Sequence, residues 1–451
     1  MSKRFAWLAG VVVLISIGLL VACSNYNTST DGLMLVGSQG SGLIETFGFS
    51  LFNGDTYAIT NTPIDTANEV CVLNGLPSSL VVNPTGTYAY AIINANALCP
   101  GSATGLLTFK VNSDGTATPV GGQLAFNQGT VTIEGTKNSE TVSVVPGPMV
   151  MDASGKFLFV ADRATTDSAG LFVPGSVTVF ALGSSGSATE VAGSPFFTSI
   201  PATTVPQASL DIASVAPTAT VYPSIGLNGV QNAVCSSVNL PPPTTEYLYA
   251  VDGLGNQVFE FVVNTSTGVL TNPSVLSTVQ SFPADQQPAG VAVDPCNRFV
   301  YVSNFLSNKV SAYTICNGSP TSPTTCAAIP PGGLVQVAGS PFSVSGSANG
   351  LGPLVVDPYG NSVYVLGTLS NTISPFKISP ISGALTALTP ATVATGLQPT
   401  SIAIRGDDSW LFVTNFNAAT VSQYSVAPET GALAVQPAVQ VDNYPWGVAV
   451  K

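Results

Sequence analysis

The chain has 451 residues, 45% apolar and only 8% charged, with 44 Gly, 34 Pro, 7 Cys and no His, and its formal net charge is −12. That mix excludes a disordered polar chain, which needs low hydrophobicity and high charge. The acidic balance excludes a nucleic-acid surface, which needs clustered Lys and Arg to displace counterions. The missing histidine excludes Ser-His-Asp and Cys-His nucleophilic sites, His general acid/base chemistry and His-ligated metals.

Lys3 and Arg4 precede an apolar run, Phe5 to Val21, that ends at Leu20-Val21-Ala22-Cys23. A basic start, a short apolar core and small residues before a cleavage point make a secretory leader. Residues 1–22 are therefore expected to be removed, with 23–31 a polar tether and 32–451 a single domain. Without Lys3 and Arg4, nine basic residues face 23 acidic ones, a balance of −14 that disfavours binding to anionic lipid.

From residue 33 onward the chain is a repeat. An aromatic or apolar anchor is followed twelve residues later by a second: Leu35 to Phe47, Tyr249 to Phe261, Tyr301 to Tyr313, Tyr364 to Phe376 and Phe412 to Tyr424. Between them lie turn-forming runs such as Asn304-Phe-Leu-Ser-Asn308, so each pair reads as a β-hairpin. The even interval predicts that the two anchors face each other on one side of the hairpin. Seven residues before the first anchor an Asp or Asn ends an apolar strand, as at Asn83, Asp152, Asp294 and Asp357. Each unit is thus strand, turn, strand, hairpin, strand and a weaker fourth strand such as Gly383 to Ala387.

First anchors at Leu35, Tyr90, Phe159, Tyr249, Tyr301, Tyr364 and Phe412 make seven units. Four-stranded units in radial repetition predict an all-β, seven-bladed β-propeller. The unit near Val221 is the least regular and leaves six or eight open. The closing segment Gly447-Val-Ala-Val450 repeats Gly290-Val-Ala-Val293, and the strand that follows the interior copy, Phe299-Val-Tyr-Val302, has its counterpart for the closing copy at Leu33-Met-Leu-Val-Gly37. The C-terminal strand is therefore expected to pair with the N-terminal strands and close the ring, with Trp446 sealing it.

Six cysteines remain beside Cys23, an even number that predicts disulfides in an exported chain. Adjacency suggests Cys316 with Cys326, then Cys71 with Cys99 and Cys235 with Cys296. There is no CxxC pair, so no zinc site is expected, and no cofactor motif is present. Three insertions, Asn127 to Val145, Ser199 to Pro243 and Cys316 to Gly333, lengthen loops. If they cluster on one face they make a recognition surface.

Leu20-Val21-Ala22-Cys23 resembles the bacterial lipobox, which implies lipidation of Cys23, with Ser24 favouring the outer membrane. Tyr301-Val-Ser-Asn304 and Phe412-Val-Thr-Asn415 resemble the YVTN-type repeats of bacterial surface propellers. Three segments are similar to the lactonase-family seven-bladed propellers: Phe261 to Leu270, Phe376-Lys-Ile-Ser-Pro-Ile-Ser-Gly-Ala-Leu-Thr386 and Tyr424 to Leu433. In that family the third strand runs into a (D/N)xxTGxL turn. Asn264 to Leu270 matches it in full, while the other two keep the Gly and Leu. The resemblance covers residues 32–451. It implies opening or closing of lactone rings, as in 6-phosphogluconolactonases, by His, Glu and Arg at the central channel. Here only carboxylates and Arg are available.

Two functional readings follow. The first is a lipid-anchored, monomeric propeller of the cell envelope, a non-catalytic module binding an envelope protein or a carbohydrate. It touches the membrane only through its acyl chains. The alternative is a lactonase-like hydrolase using carboxylate and Arg residues at the channel. Candidate residues are Asp162, Arg163, Asp252 and Arg405. Asp162 and Arg163 end a strand, where Arg163 is placed to bind a carboxylate bidentately. Asp252, Asn304 and Asn415 recur at matching positions, which favours turn capping, and Arg405 stands where other units carry Asp.

Overall fold

The computed structural model describes residues 31–451 except 41, 52, 60–75, 97–101, 133–138, 153, 164, 167–171, 174, 199–219, 223–245, 254–255, 272–279, 284, 317–325, 328, 345–347 and 428. Among the described residues the strands form seven four- or five-stranded antiparallel sheets and two small hairpins, 129–132 with 139–142 and 165–166 with 172–173. The seven sheets are the blades of a propeller. Their inner strands, in ring order, are Pro445–Val450, Leu76–Val82, Val145–Met151, Thr220–Tyr222, Pro288–Val293, Leu351–Val356 and Pro399–Ile404. Each touches the next, and the last touches the first. The irregular unit is an ordinary fourth blade whose inner strand is Thr220–Tyr222, so the count is neither six nor eight.

The first blade is made from both ends of the chain. Its strands run, from the axis outward, Pro445–Val450, Asp31–Ser38, Leu43–Ser50 and Thr56–Ala58. Met34 pairs with Val450, Leu35 with Ala449, Val36 with Val448 and Gly37 with Gly447. The Lys451 amide donates to the Leu33 carbonyl at 2.9 Å. The ring closes as the repeat predicted.

The core is divided among the joints between blades. Seven apolar clusters occur, one per joint, each built from the facing sides of two neighbouring blades. This follows from strand alternation: successive side chains point to opposite faces, and in a propeller both faces are covered. Near-continuous apolar runs such as Phe157–Ala161, fully or nearly fully buried, are the result.

The twelve-residue spacing has a different meaning from the one expected. Tyr301 pairs with Ala312, and Tyr313 with Val300. The hairpin from Asn304 to Lys309 has four loop residues, so paired residues are always an odd number apart, and anchors twelve apart lie on opposite faces. Tyr301 enters the cluster shared with the sixth blade, Tyr313 the one shared with the fourth. Each hairpin thus sends one anchor forward and one back.

The forward tyrosines also carry a polar lock. Tyr249 Oη donates to the Gly332 carbonyl at 2.6 Å, Tyr301 to Gly383 at 3.1 Å and Tyr364 to Gly431 at 2.9 Å. Each acceptor is the glycine in the third-to-fourth-strand turn of the next blade. At Gly383, with φ +74°, an added Cβ would lie 2.5 Å from the Phe299 ring of the preceding blade. Left-handed backbone and this close approach together require glycine.

Cys316 and Cys326 are bonded as expected, with Cα atoms 5.4 Å apart. Cys296 is also disulfide-bonded. Cys23, Cys71, Cys99 and Cys235 lie outside them, as does the leader. The insertions do not share a face. Asn127 to Val145 leads from an outer strand to the next inner strand, whereas Cys316 to Gly333 joins a third strand to a fourth at the opposite end. Ser199 to Pro243 lies largely outside the described residues.

Candidate active site at the hairpin end of the ring

Antiparallel order puts two kinds of connection at each end of the ring. The second-to-third-strand hairpins and the segments leading into the inner strands share one, here the hairpin end. The turns after the inner strands, with the third-to-fourth turns, occupy the other, the turn end.

At the hairpin end, successive blades are clamped by asparagines in left-handed conformation. Asn256 (φ 53°), Asn308 (φ 53°) and Asn371 (φ 57°) close hairpins of the fourth, fifth and sixth blades. Their Oδ1 atoms accept the amides of Gln287 (2.7 Å), Gly350 (2.8 Å) and Gln398 (2.7 Å), which open the next inner strands. Asn tolerates this conformation because its short polar side chain bonds locally. In the seventh blade the position is Ala419 (φ 50°), which has no side-chain acceptor. There the joint is made by aromatic packing: Phe416 meets Tyr444 at 5.0 Å and Trp446 at 5.4 Å. Trp446 therefore packs the closing strand onto the seventh blade.

The position three residues after the first anchor, at or next to the end of the second strand, is a second recurring position. Asn304 Nδ2 donates to Ser311 Oγ and the Lys309 carbonyl, both at 3.0 Å, and Asn415 Nδ2 to Thr420 Oγ1 at 3.0 Å and Ser422 Oγ at 2.9 Å. Asp162 occupies the same position in the third blade. It is 1% exposed, and its Oδ2 accepts from Ser176 Oγ (2.7 Å) and Thr178 Oγ1 (2.8 Å). Its Oδ1 is buried without a partner. Burial pushes its carboxyl up to about 7, against the pull of the two hydroxyls. Glu190 adds a smaller upward push. Asp252 is the counterpart in the fourth blade, also buried.

Arg163 follows Asp162 and, by strand alternation, points the other way. Leu158 and Val160 face the second blade, whereas Phe159 and Ala161 face the fourth, so Arg163 faces the joint with the fourth blade. Leu248 and Ala250 face back into that same joint, which puts Asp252 there too. Arg163 pairs in register with Val145 at the start of the inner strand, beside a register shift between Pro146 and Met149. Its Nε lies 3.6 Å from where a Cβ on Gly147 would sit, so the side chain runs against the inner strand. Bulges of this kind re-aim side chains next to sites. No acid lies within ion-pair distance of Arg163 among the described residues, and its Nε is buried without a partner. Burial pushes the guanidinium down from its usual range. A partly desolvated, unpaired guanidinium of this kind binds a carboxylate or a developing oxyanion.

Arg405 is not part of this arrangement. It lies at the turn end, ion-paired with Asp407 and donating from Nε to the Lys451 carbonyl at 3.1 Å. The structure brings Arg163 and Asp252 to one joint, turns Asp162 to the other side of the same strand, and leaves Arg405 at the far end of the ring. Sequence reasoning missed Glu260, which has no exposed surface and no partner for either oxygen. A glutamate inside the apolar run Val258 to Val262 was the available signal.

Comparison with known proteins agrees with this architecture. Residues 241–328 and 331–448 match the family model "Lactonase, 7-bladed beta-propeller". The resemblance seen in the repeats thus holds across the fourth to seventh blades and the closing strand, and the fold is a seven-bladed propeller. A candidate 6-phosphogluconolactonase of Bacteroides uniformis is similar in fold, with TM-score 0.63 and 18% identity over 94% of this chain and 100% of that one. The periplasmic gluconolactonase PpgL of Pseudomonas aeruginosa gives TM-score 0.60 and 18% identity over 93% and 99%. At that identity the likeness is one of fold. No curated protein matches.

Proposed function

We propose that this protein hydrolyses a lactone at the joint between the third and fourth blades, at the hairpin end of the ring. The observation behind the reading is Arg163, a partly buried guanidinium with no acidic partner among the described residues, facing the same joint as Asp252. The lactonase-type fold supports it. Arg163 polarises the lactone carbonyl and stabilises the oxyanion that forms on it. Asp252 takes a proton from water as the water oxygen bonds to the carbonyl carbon. The ring C–O bond then breaks, and the proton returns to the departing alkoxide. The product is a hydroxy acid whose carboxylate stays paired with Arg163.

Incubation with a panel of sugar and aliphatic lactones, followed by acid release, tests this. Arg163→Ala is expected to lower kcat/KM by about 10²–10³-fold, the effect of removing one oxyanion donor. Arg405→Ala, at the other end, leaves the rate unchanged. A rate no better than buffer across the panel, with lactone still bound, would return the protein to a binding module without turnover.

We also propose that the chain is exported and acylated at Cys23, as its basic, apolar and Leu-Val-Ala-Cys leader suggests. The Cys316–Cys326 disulfide suits an oxidising compartment. Incorporation of labelled fatty acid, lost in Cys23→Ala, checks this; label retained by the variant would refute it.

A further inference from the structure

At the turn end, the joints between blades five and six and between six and seven are built on one plan with different contents. In the first, Asp294 opens the turn after the inner strand, and Arg298 follows four residues later. The Arg298 guanidinium, 4% exposed, bonds Asp294 Oδ2 through Nη2 (2.5 Å) and Nε (2.9 Å). It also donates to the carbonyls of Gly360 and Pro380, both at 3.1 Å. Next to it the Phe299 ring packs against Gly383. The buried carboxylate is neutralised and the space is filled.

At the second joint the first acid is kept, as Asp357, but the groups around it are exchanged: Asn361 replaces Arg298, Ser362 replaces Phe299, and Asp408 replaces Gly360. Both bulky groups become small, the cation is gone, and a second carboxylate arrives. The direction of that carboxylate is set by the repeat: a Cβ built on Gly360 lies 2.8 Å from Asp294 Oδ2. Asp408 holds the same left-handed conformation, φ 59° against 69° for Gly360, so its side chain is aimed at Asp357.

The oxygens there are unsatisfied. Asp357 Oδ1 accepts the Tyr359 and Asn361 amides, but its Oδ2 has no partner, nor does either oxygen of Asp408. Asp357 is 1% exposed and Asp408 0%. The Ser362 hydroxyl is fully buried and meets no partner at hydrogen-bond geometry. It faces the Asp357 carboxyl, and an added Cβ on Gly431 would lie 2.2 Å from its Oγ. Burial and mutual repulsion both raise the Asp408 carboxyl, while Lys377, the neighbouring base, donates its ammonium to the Glu429 carbonyl.

We infer that the joint between the sixth and seventh blades binds a hard divalent cation of the calcium type, held by Asp357, Asp408 and Ser362 where the preceding joint holds a guanidinium. The donors are all oxygens, which select Ca²⁺ over softer metals. No group of three or more His, Cys, Asp or Glu side chains converges among the described residues. The site is therefore completed by the hydroxyl and by water, as in weak extracellular sites. The lack of His and CxxC speaks only against zinc.

The test is thermal unfolding and calorimetric titration of the chelator-treated full chain with Ca²⁺ and Mg²⁺. The expected result is a dissociation constant for Ca²⁺ of about 10⁻⁴–10⁻³ M, and a rise in Tm of roughly 2–5 °C at ~10 mM. Asp408→Asn removes one carboxylate and its repulsion, so it is expected to fold and to lose the response. The pair Asn361→Arg with Asp408→Gly restores the arrangement of the preceding joint, and should lose the response while raising Tm without calcium. A wild-type Tm indifferent to Ca²⁺, or a response undiminished in Asp408→Asn, overturns the site. So does a Tm that responds to pH alone, because a shared proton would then satisfy the pair.

Discussion

From about pH 4.5 to pH 8.5 the urea midpoint of this protein should fall, and Glu260→Gln should remove much of the fall. Glu260 sits in the apolar cluster between the fourth and fifth blades, among Tyr247, Tyr249, Val258 and Val302. Neither of its oxygens is bonded. Burial alone pushes its carboxyl from 4.5 up to about 8. In that interval the folded chain holds a proton that the unfolded chain has released. Stability is therefore fully present below about 4.5, declines through the window and levels off above about 8. A shift of this size is worth on the order of 5 kcal/mol at alkaline pH. Asp162 and Glu246, each pushed up to about 7 chiefly by burial, add slope of the same sign. The amide of Glu260→Gln cannot ionise, so the variant should be the more stable protein near pH 8.5. Near pH 4.5 it gains nothing. Parallel midpoint curves for the two proteins, or a midpoint that rises with pH, would show that Glu260 does not hold its proton.

The architecture was legible because a propeller repeats its constraints. An anchor such as Tyr301 must bury its side chain against the next blade, and every blade faces that demand; Tyr249, Tyr301 and Tyr364 also place a hydroxyl on a turn glycine. These demands fix residue type and spacing together, so seven anchors could be counted from the sequence alone. Their facing could not. An interval of twelve is even, but a four-residue hairpin loop pairs residues an odd distance apart, and only the loop's register reveals it. The fourth blade was hardest to read because its short inner strand, Thr220–Tyr222, follows a long insertion instead of a turn signal.

The residues of the candidate site could be named from the sequence, but not their grouping. Asp162, Arg163 and Asp252 were picked out by type and by their place at strand ends. Which of them share a joint depends on strand alternation carried around the ring, and it separates neighbours in sequence while joining residues 163 and 252. Arg405 was misplaced for the converse reason. It fills the turn position taken elsewhere by Asp294 and Asp357, and in a propeller that turn lies at the far end from the hairpins. Departures from the repeat proved more informative than the repeat itself: Asp for Asn at 162, Ala for Asn at 419 and Asp for Gly at 408 each mark a joint built differently.

Removal of residues 445–451 should abolish cooperative folding, the largest effect expected of any change to this chain. The segment is the inner strand of the first blade, bonded to Asp31–Ser38 and touching the inner strands on both sides, Leu76–Val82 and Pro399–Ile404. Val448 and Ala449 enter two different joints, so two of the seven clusters lose a wall at once. Each large apolar side chain withdrawn from such a cluster costs about 1.5–3 kcal/mol, and the ladder to Leu33–Gly37 is lost with it. Together these approach the ~5–15 kcal/mol that a folded domain has to lose. A deletion can also fail for trivial reasons, so the complementary change matters more. Because Lys451 bonds to Leu33, a short linker from Lys451 to Gly32 should be accepted. New ends can then be opened in the exposed hairpin loop near Asn417, at a joint where the chain ordinarily runs through. That permuted chain should unfold in one transition with a urea midpoint near that of the parent. If the deletion melts like the full chain, or the permutant fails to fold while the parent does, the first blade is not held together by the two ends of the polypeptide.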